Sequence, residues 1–295
     1  MRDDATCAAE QACIGPASRY IGCLGRELHF VQWGEASAPA VFLWHGLART
    51  GRDFDDLAQV LAARYRVICP DTPGRGLSQW SADPIADYRL DSYARLAAAL
   101  ADALRLPQLR WVGTSMGGAI GLVAAATTLR GRISHLVLND IGPELPAPAV
   151  ERITTYVGNP PAFDTVTELE GWLRQAYRPY GWQSDAQWRR MAETSTRRLP
   201  DGRVTLHYDP AIVGQFRHHP RDYDRWDAYD ALRLPVLLLR GAQSDLLPES
   251  VADAMTRRGP RAARIDFQEC GHAPALNVPL QINAVADFLA RPGEL

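Results

Sequence analysis

The pentapeptide Gly113-Thr114-Ser115-Met116-Gly117 constrains this chain more than any other stretch. Leu109, Trp111 and Val112 precede it and read as a short buried strand. The apolar run over 119–125 follows it and reads as a helix. A serine with glycines at i−2 and i+2, at a strand-to-helix junction, marks a sharp turn that lifts a nucleophile clear of a sheet. So tight a backbone leaves no room for a Cβ at the flanking positions, and glycine meets that demand. The hydroxyl then lies beside a helix N-terminus. Free N–H groups and the positive end of the helix dipole can there meet a developing negative charge.

The rest of the chain supplies the sheet that such a turn needs. Residues 19–23 and 27–33 read as two strands joined near Gly25. Ala40–Trp44, Arg66–Pro70, the strand before Ser115, Ile133–Asn139, residues 235–240 and Ala263–Phe267 read as further strands, about eight in all. Apolar residues at helical spacing separate them, as in Phe54, Leu57, Ala58 and Leu61, or Tyr93, Leu96, Ala97, Leu100 and Leu104. Alternation of this kind predicts an α/β fold: a mainly parallel, doubly wound sheet covered on both faces. Residues 143–229 break the rhythm. They open with Pro143, Pro146 and Pro148, show no convincing buried strand, and carry helical faces at Leu169, Trp172, Leu173, Ala176 and Tyr177 and at Trp188, Met191 and Ala192. This stretch is expected to be a helical cap inserted into a core of residues 18–142 and 230–295, with its aromatics packed mainly inside it. Residues 1–17 read as a polar, disordered lead-in without the basic start and apolar middle of a secretory leader.

Composition narrows the function classes. The formal net charge is −2, with 46% hydrophobic and 22% charged residues and no basic face, which argues against nucleic acid and anionic membranes as partners. No apolar run approaches a membrane span. The five cysteines (Cys7, Cys13, Cys23, Cys69, Cys270) are odd in number and lack metal-ligand spacing. They read as reduced thiols of a cytoplasmic protein that binds no metal.

A serine hydroxyl becomes nucleophilic when a base removes its proton, usually a histidine oriented by a carboxylate. Of seven histidines, His272 stands out. It lies in Glu269-Cys270-Gly271-His272-Ala273-Pro274, just past the last predicted strand and on the same sheet edge as Ser115. Two aspartates follow strands and could orient it. Asp245 is preferred for its place in the chain order Ser…Asp…His, and Asp140 is the rival. A tetrahedral oxyanion needs two N–H donors, for which the candidates are the backbone of Met116 and that of Leu47. Gly46 lets the Leu47 backbone approach, and His45 is expected to brace the loop through a hydrogen bond.

These motifs, in this order, resemble the α/β-hydrolase superfamily over nearly the whole chain. The matching elements are His45-Gly46, Asp71-Thr72-Pro73-Gly74-Arg75-Gly76-Leu77-Ser78, the serine turn, Asp245 and Gly271-His272. The resemblance implies a hydrolase without an organic cofactor. A serine rather than an aspartate nucleophile sets it apart from haloalkane dehalogenases and epoxide hydrolases. The single-glycine His45-Gly46-Leu47 resembles small-acyl esterases, C–C bond hydrolases and cofactor-free haloperoxidases. Residues 45–54 and 239–247 resemble bacterial intracellular esterases, including 3-hydroxybutyrate oligomer hydrolases. The expected activity is cleavage of a small carboxylic ester through an acyl-enzyme on Ser115. A C–C bond hydrolase of ring-cleavage products and a non-catalytic ligand-binding protein are the alternatives. Arg49, two residues beyond Leu47, is read either as ion-paired to Asp53 or Asp55, or as a substrate-binding anchor for the carboxylate of a short hydroxy-acid oligomer.

Overall fold

The computed structural model describes residues 15–292. Most of the expected lead-in, with Cys7 and Cys13, lies outside the described residues. The apolar runs form one eight-stranded sheet: β1 (Ala17–Cys23), β2 (Arg26–Trp33), β3 (Ala40–Trp44), β4 (Arg66–Pro70), β5 (Leu109–Thr114), β6 (Ile133–Asn139), β7 (Val236–Gly241) and β8 (Ala263–Phe267). Their spatial order is β1-β2-β4-β3-β5-β6-β7-β8. Only the β1–β2 and β2–β4 pairings are antiparallel.

The central strands are buried along their whole length because helices cover both faces. Alternation along β3 divides the core. Phe42 and Trp44 point to one side, where Trp44 stacks on Trp111 at 4.9 Å, and Val41 and Leu43 point to the other. Helix α1 (Asp55–Leu61) packs on the Val41 side. Helices α2 (Leu90–Ala103) and α3 (Met116–Ala126) pack on the Trp44 side.

The insertion leaves the core after β6 and returns at β7. It contains α4 (Ala147–Val157), α5 (Val166–Ala176) and α6 (Asp185–Thr194). Thr165 with Glu168, and Ser184 with Gln187, form reciprocal capping boxes that fix the starts of α5 and α6. The stretch is not purely helical. Ala162–Phe163, Val204–Leu206 and Thr196–Arg198 make a small antiparallel sheet. Runs of two or three residues are too short to show an alternating pattern, so the sequence hid them. The insertion is tied to the core by backbone bonds from Gly76 N–H to His207 O (2.8 Å) and from Asp209 N–H to Gly74 O (2.7 Å). Two core helices complete the chain: α7 (Glu249–Arg257) on the Trp44 side, and α8 (Pro279–Leu289) on the Val41 side beside α1. Because β3, β5, β6, β7 and β8 run parallel, the loops after them share one edge of the sheet.

Candidate active site

That edge brings the chemistry-bearing residues together. Ser115 sits between β5 and α3 at φ 52°, ψ −121°, a conformation that L-residues rarely adopt. The flanking glycines are required. A Cβ on Gly113 would lie 2.2 Å from Gly117 O, and one on Gly117 would lie 1.9 Å from Trp44 O. The Ser115 N–H donates to Asn139 O at 2.9 Å, which ties the turn to the end of β6.

His272 Nε2 lies 3.0 Å from Ser115 Oγ, and its Nδ1 lies 2.7 Å from Asp140 Oδ2. An ionised carboxylate only accepts, so the network assigns the proton to Nδ1 and leaves Nε2 to accept from the serine hydroxyl. Asp140 is fully buried, and both of its oxygens accept further hydrogen bonds. Oδ1 accepts from Gly241 N–H at 2.9 Å, and Oδ2 accepts from the Ser244 hydroxyl at 2.6 Å. Asn139 braces the same assembly: its Nδ2 donates to Thr114 Oγ1 (3.0 Å) and to Pro274 O (2.9 Å) on the histidine loop.

The structure therefore corrects the expected acid. Asp245 does not reach His272. It faces Arg152 of α4, which donates from Nε (2.8 Å) and Nη2 (3.0 Å). The physical reason is placement. Asp140 directly follows β6, which lies between β5 and β7, and its positive φ of 57° aims the carboxylate across the strand ends. In the loop after β7 it is Ser244 that meets Asp140, and Asp245 meets Arg152 at the cavity wall. The order Ser…Asp…His could not separate the two, because both aspartates lie between Ser115 and His272.

Of the two expected oxyanion donors, Met116 directly follows the serine and Leu47 lines the same cavity. A Cβ on Gly46 would touch Ser115 Cβ at 3.6 Å, so this loop lies directly against the nucleophile. Met116 is the first residue of α3, where a backbone N–H has no helical acceptor. His45 braces the loop as expected. Its Nδ1–H donates to Gly46 O at 2.7 Å, and its Nε2 accepts from Thr72 N–H at 2.9 Å. Complete burial lowers the His45 pKa to about 4, so the ring is neutral near pH 7.

Arg75 was not singled out from the sequence, yet it binds both expected donor residues. Its guanidinium is fully buried and donates to Leu47 O (2.8 Å), Pro73 O (2.8 Å), the Tyr93 hydroxyl (2.7 Å) and Met116 Sδ (3.5 Å). Every one of these partners is uncharged. A single arginine in a glycine-rich turn carries no signal of such a role.

Arg49 takes the structural one of its two expected places. Nε and Nη2 fork onto Asp53 at 2.8 and 2.6 Å, and the guanidinium lies over the Tyr177 ring, 4.7 Å from its centroid. Burial alone would lower its pKa, but Asp53 outweighs burial and raises it. The side chain is only 2% exposed and its charge is matched by Asp53, while Nη1 has no hydrogen-bond partner among the described residues and Arg49 lines the same cavity as Ser115. Arg152, which no motif marked, is the arginine that lines the cavity with its charge near solvent.

A cavity of about 330 Å³ opens on the site. Leu47, Ser115 and His272 lie at the core side, and Arg152, Tyr156 and Tyr177 come from the insertion. Cys23, Cys69 and Cys270 are free thiols. Burial pushes the Cys270 thiol up to about 12, which keeps it protonated beside the histidine loop. Among the described residues no helix is long and apolar enough to cross a membrane.

Comparisons with known proteins agree with this fold. A family model described as alpha/beta hydrolase fold matches residues 39–277. The chain is 36% identical over 286 residues to a 3-hydroxybutyrate-oligomer hydrolase of Cupriavidus necator, covering 94% of this chain and 95% of that protein. It is 28% identical to a pimeloyl-[acyl-carrier protein] methyl ester esterase of Xanthomonas campestris, covering 86% and 94%. A solved alpha/beta hydrolase from Novosphingobium aromaticivorans superposes with a TM-score of 0.84 at 34% identity, covering 94% of this chain and 99% of that one.

Proposed function

The chain belongs to the alpha/beta hydrolase fold family, and from that premise we propose that it cleaves carboxylic esters through an acyl-enzyme on Ser115, with short hydroxy-acid oligomers as its substrate class. The observation that carries the reading is the continuous hydrogen-bond chain from Ser115 Oγ through His272 to the buried Asp140. His272 Nε2 takes the serine proton as Oγ attacks the ester carbonyl. The Leu47 and Met116 N–H groups bind the oxyanion, and Asp140 stabilises the imidazolium and holds its tautomer. The C–O bond then breaks, and His272 returns the proton to the leaving alcohol. Water, deprotonated by the same nitrogen, attacks the acyl-enzyme and releases the acid. The insertion acts as a cap that walls the acyl and alcohol sites.

The substrate class rests on the hydroxybutyrate-oligomer hydrolase that the chain is similar to over almost its full length. The test uses purified protein on p-nitrophenyl esters of graded acyl length and on the linear dimer of 3-hydroxybutyrate. Turnover of the esters, covalent labelling of Ser115 by a fluorophosphonate, and loss of both in Ser115→Ala are expected. Ser115→Ala retaining a tenth of the activity would refute the mechanism. Turnover of a ring-cleavage dienoate without ester turnover would refute the reaction class.

A further inference from the structure

The cavity wall contributed by α4 carries a guanidinium whose only hydrogen-bonded counter-ion among the described residues is one loop carboxylate. Arg152 presents the Nε–Nη2 edge of its fork to both oxygens of Asp245, the side-on geometry with which an arginine receives any carboxylate. Both residues line the cavity that holds Ser115 and His272. Their side chains are 46% and 54% exposed. Tyr156, one turn along α4, lines the same wall.

The pair differs from the other charged groups near the site. Arg49, on the same cavity, is almost fully buried and forked onto Asp53 against Tyr177, and Asp140 is enclosed by its three donors. Asp245 has no further hydrogen bond among the described residues, and its loop opens to solvent. An ion pair this exposed is weakly held, and its carboxylate can exchange for another at little cost. The ester proposed above has a leaving alcohol that is itself a hydroxy acid, so its free end is a carboxylate.

We propose that Arg152 is a specificity-determining residue that reads the terminal carboxylate of an anionic leaving group, and that Asp245 occupies its fork until that carboxylate displaces it. The inference rests on the ester-hydrolase reading. It makes opposite predictions for the two partners. Removing Arg152 weakens binding of the anionic end, and removing the Asp245 charge frees the fork and strengthens it. A pair that merely clasped the cap to the core would respond alike to either change, whatever the charge on the substrate.

The test compares two substrates that share the scissile ester: the linear 3-hydroxybutyrate dimer and its terminal primary amide. For Arg152→Gln, KM for the dimer is expected to rise about tenfold more than KM for the amide, the loss of one charge-assisted hydrogen bond. For Asp245→Asn, KM for the dimer is expected to fall about threefold relative to the amide. In both variants the kcat ratio between the two substrates should stay within about twofold, because the scissile bond is unchanged. Equal shifts of both substrates in both variants, or a rise in dimer KM for Asp245→Asn, would overturn the proposal and leave a cap clasp. Wild-type protein that turns over neither substrate nor p-nitrophenyl butyrate would overturn the ester-hydrolase reading itself. Turnover of the amide-ended ester with no preference between the ends would overturn only the role of Arg152.

Discussion

Asp140→Asn separates the two candidate acids. The substitution keeps the shape of a fully buried side chain, so the fold should survive. One amide oxygen can still accept from Gly241 N–H. The other oxygen becomes an NH2 group facing two donors, His272 Nδ1–H and the Ser244 hydroxyl. Ser244 can rotate its proton away. The imidazole has no such freedom, and it must accept at Nδ1 and carry its proton on Nε2. That nitrogen then presents a hydrogen to Ser115 Oγ, where catalysis requires a lone pair. A wrong tautomer of this kind costs about 10⁴-fold in kcat, or about 5 kcal/mol of transition-state stabilisation. The control, Asp245→Asn, breaks only a half-exposed ion pair with Arg152. It should cost no more than about 1 kcal/mol, or about fivefold in rate on a neutral ester. The assay is kcat and KM for p-nitrophenyl butyrate, with thermal melts confirming that both variants are folded. A folded Asp140→Asn enzyme that keeps a tenth of wild-type kcat, or an Asp245→Asn enzyme that loses more, would refute the assignment.

Further predictions concern the frame around the site. Gly117→Ala should drive a Cβ into Trp44 O at 1.9 Å, so soluble yield and melting temperature should drop sharply; an unchanged melting temperature would contradict the tight-turn geometry. Arg75→Met should lower kcat tenfold or more and weaken an alkyl boronic acid inhibitor in parallel, with KM little changed, because the guanidinium holds Leu47 and Met116, the two proposed oxyanion donors. A loss confined to KM would exclude that role. The burial-lowered pKa of His45 makes stability depend on pH. Its folded pKa of about 4 lies below the ordinary imidazole value of 6.5, so the unfolded chain binds more protons between those values. Stability from this group is full above about pH 6.5 and is lost on acidification towards about 4, at up to about 1.4 kcal/mol per pH unit. In urea titrations the deficit of His45→Asn relative to wild type should therefore shrink from pH 7 to pH 5. A constant deficit would show that burial does not lower the pKa of the ring in the folded protein.

Much of the molecule was legible along the chain because its signals are local. The alternation of buried strands with helical stripes announced the parallel sheet. Two glycines around Ser115 announced the turn, since Gly113 and Gly117 close on each other within five residues. His272 could be placed because a loop after a parallel strand must emerge on the shared edge. Other features depend on contacts between distant segments, and these the linear order does not encode. Asp140 and Asp245 both follow strands, and both lie between the serine and the histidine. What separates them is that β6 is a neighbour of β5, that Asp140 turns through a positive φ, and that Ser244 meets Asp140 while Asp245 meets Arg152. Arg49 and Arg152 are likewise indistinguishable by residue type. Both line the cavity, but the packing of the insertion onto the core buries the first against Asp53 and Tyr177 and leaves the second half-exposed. Sequence alone thus determined which chemistry the chain can assemble and on which edge of the sheet, because backbone sterics and apolar periodicity act over a few residues. Tertiary structure decided which charged side chain meets which partner, because Coulomb and hydrogen-bond energies depend on distances that only the folded chain sets.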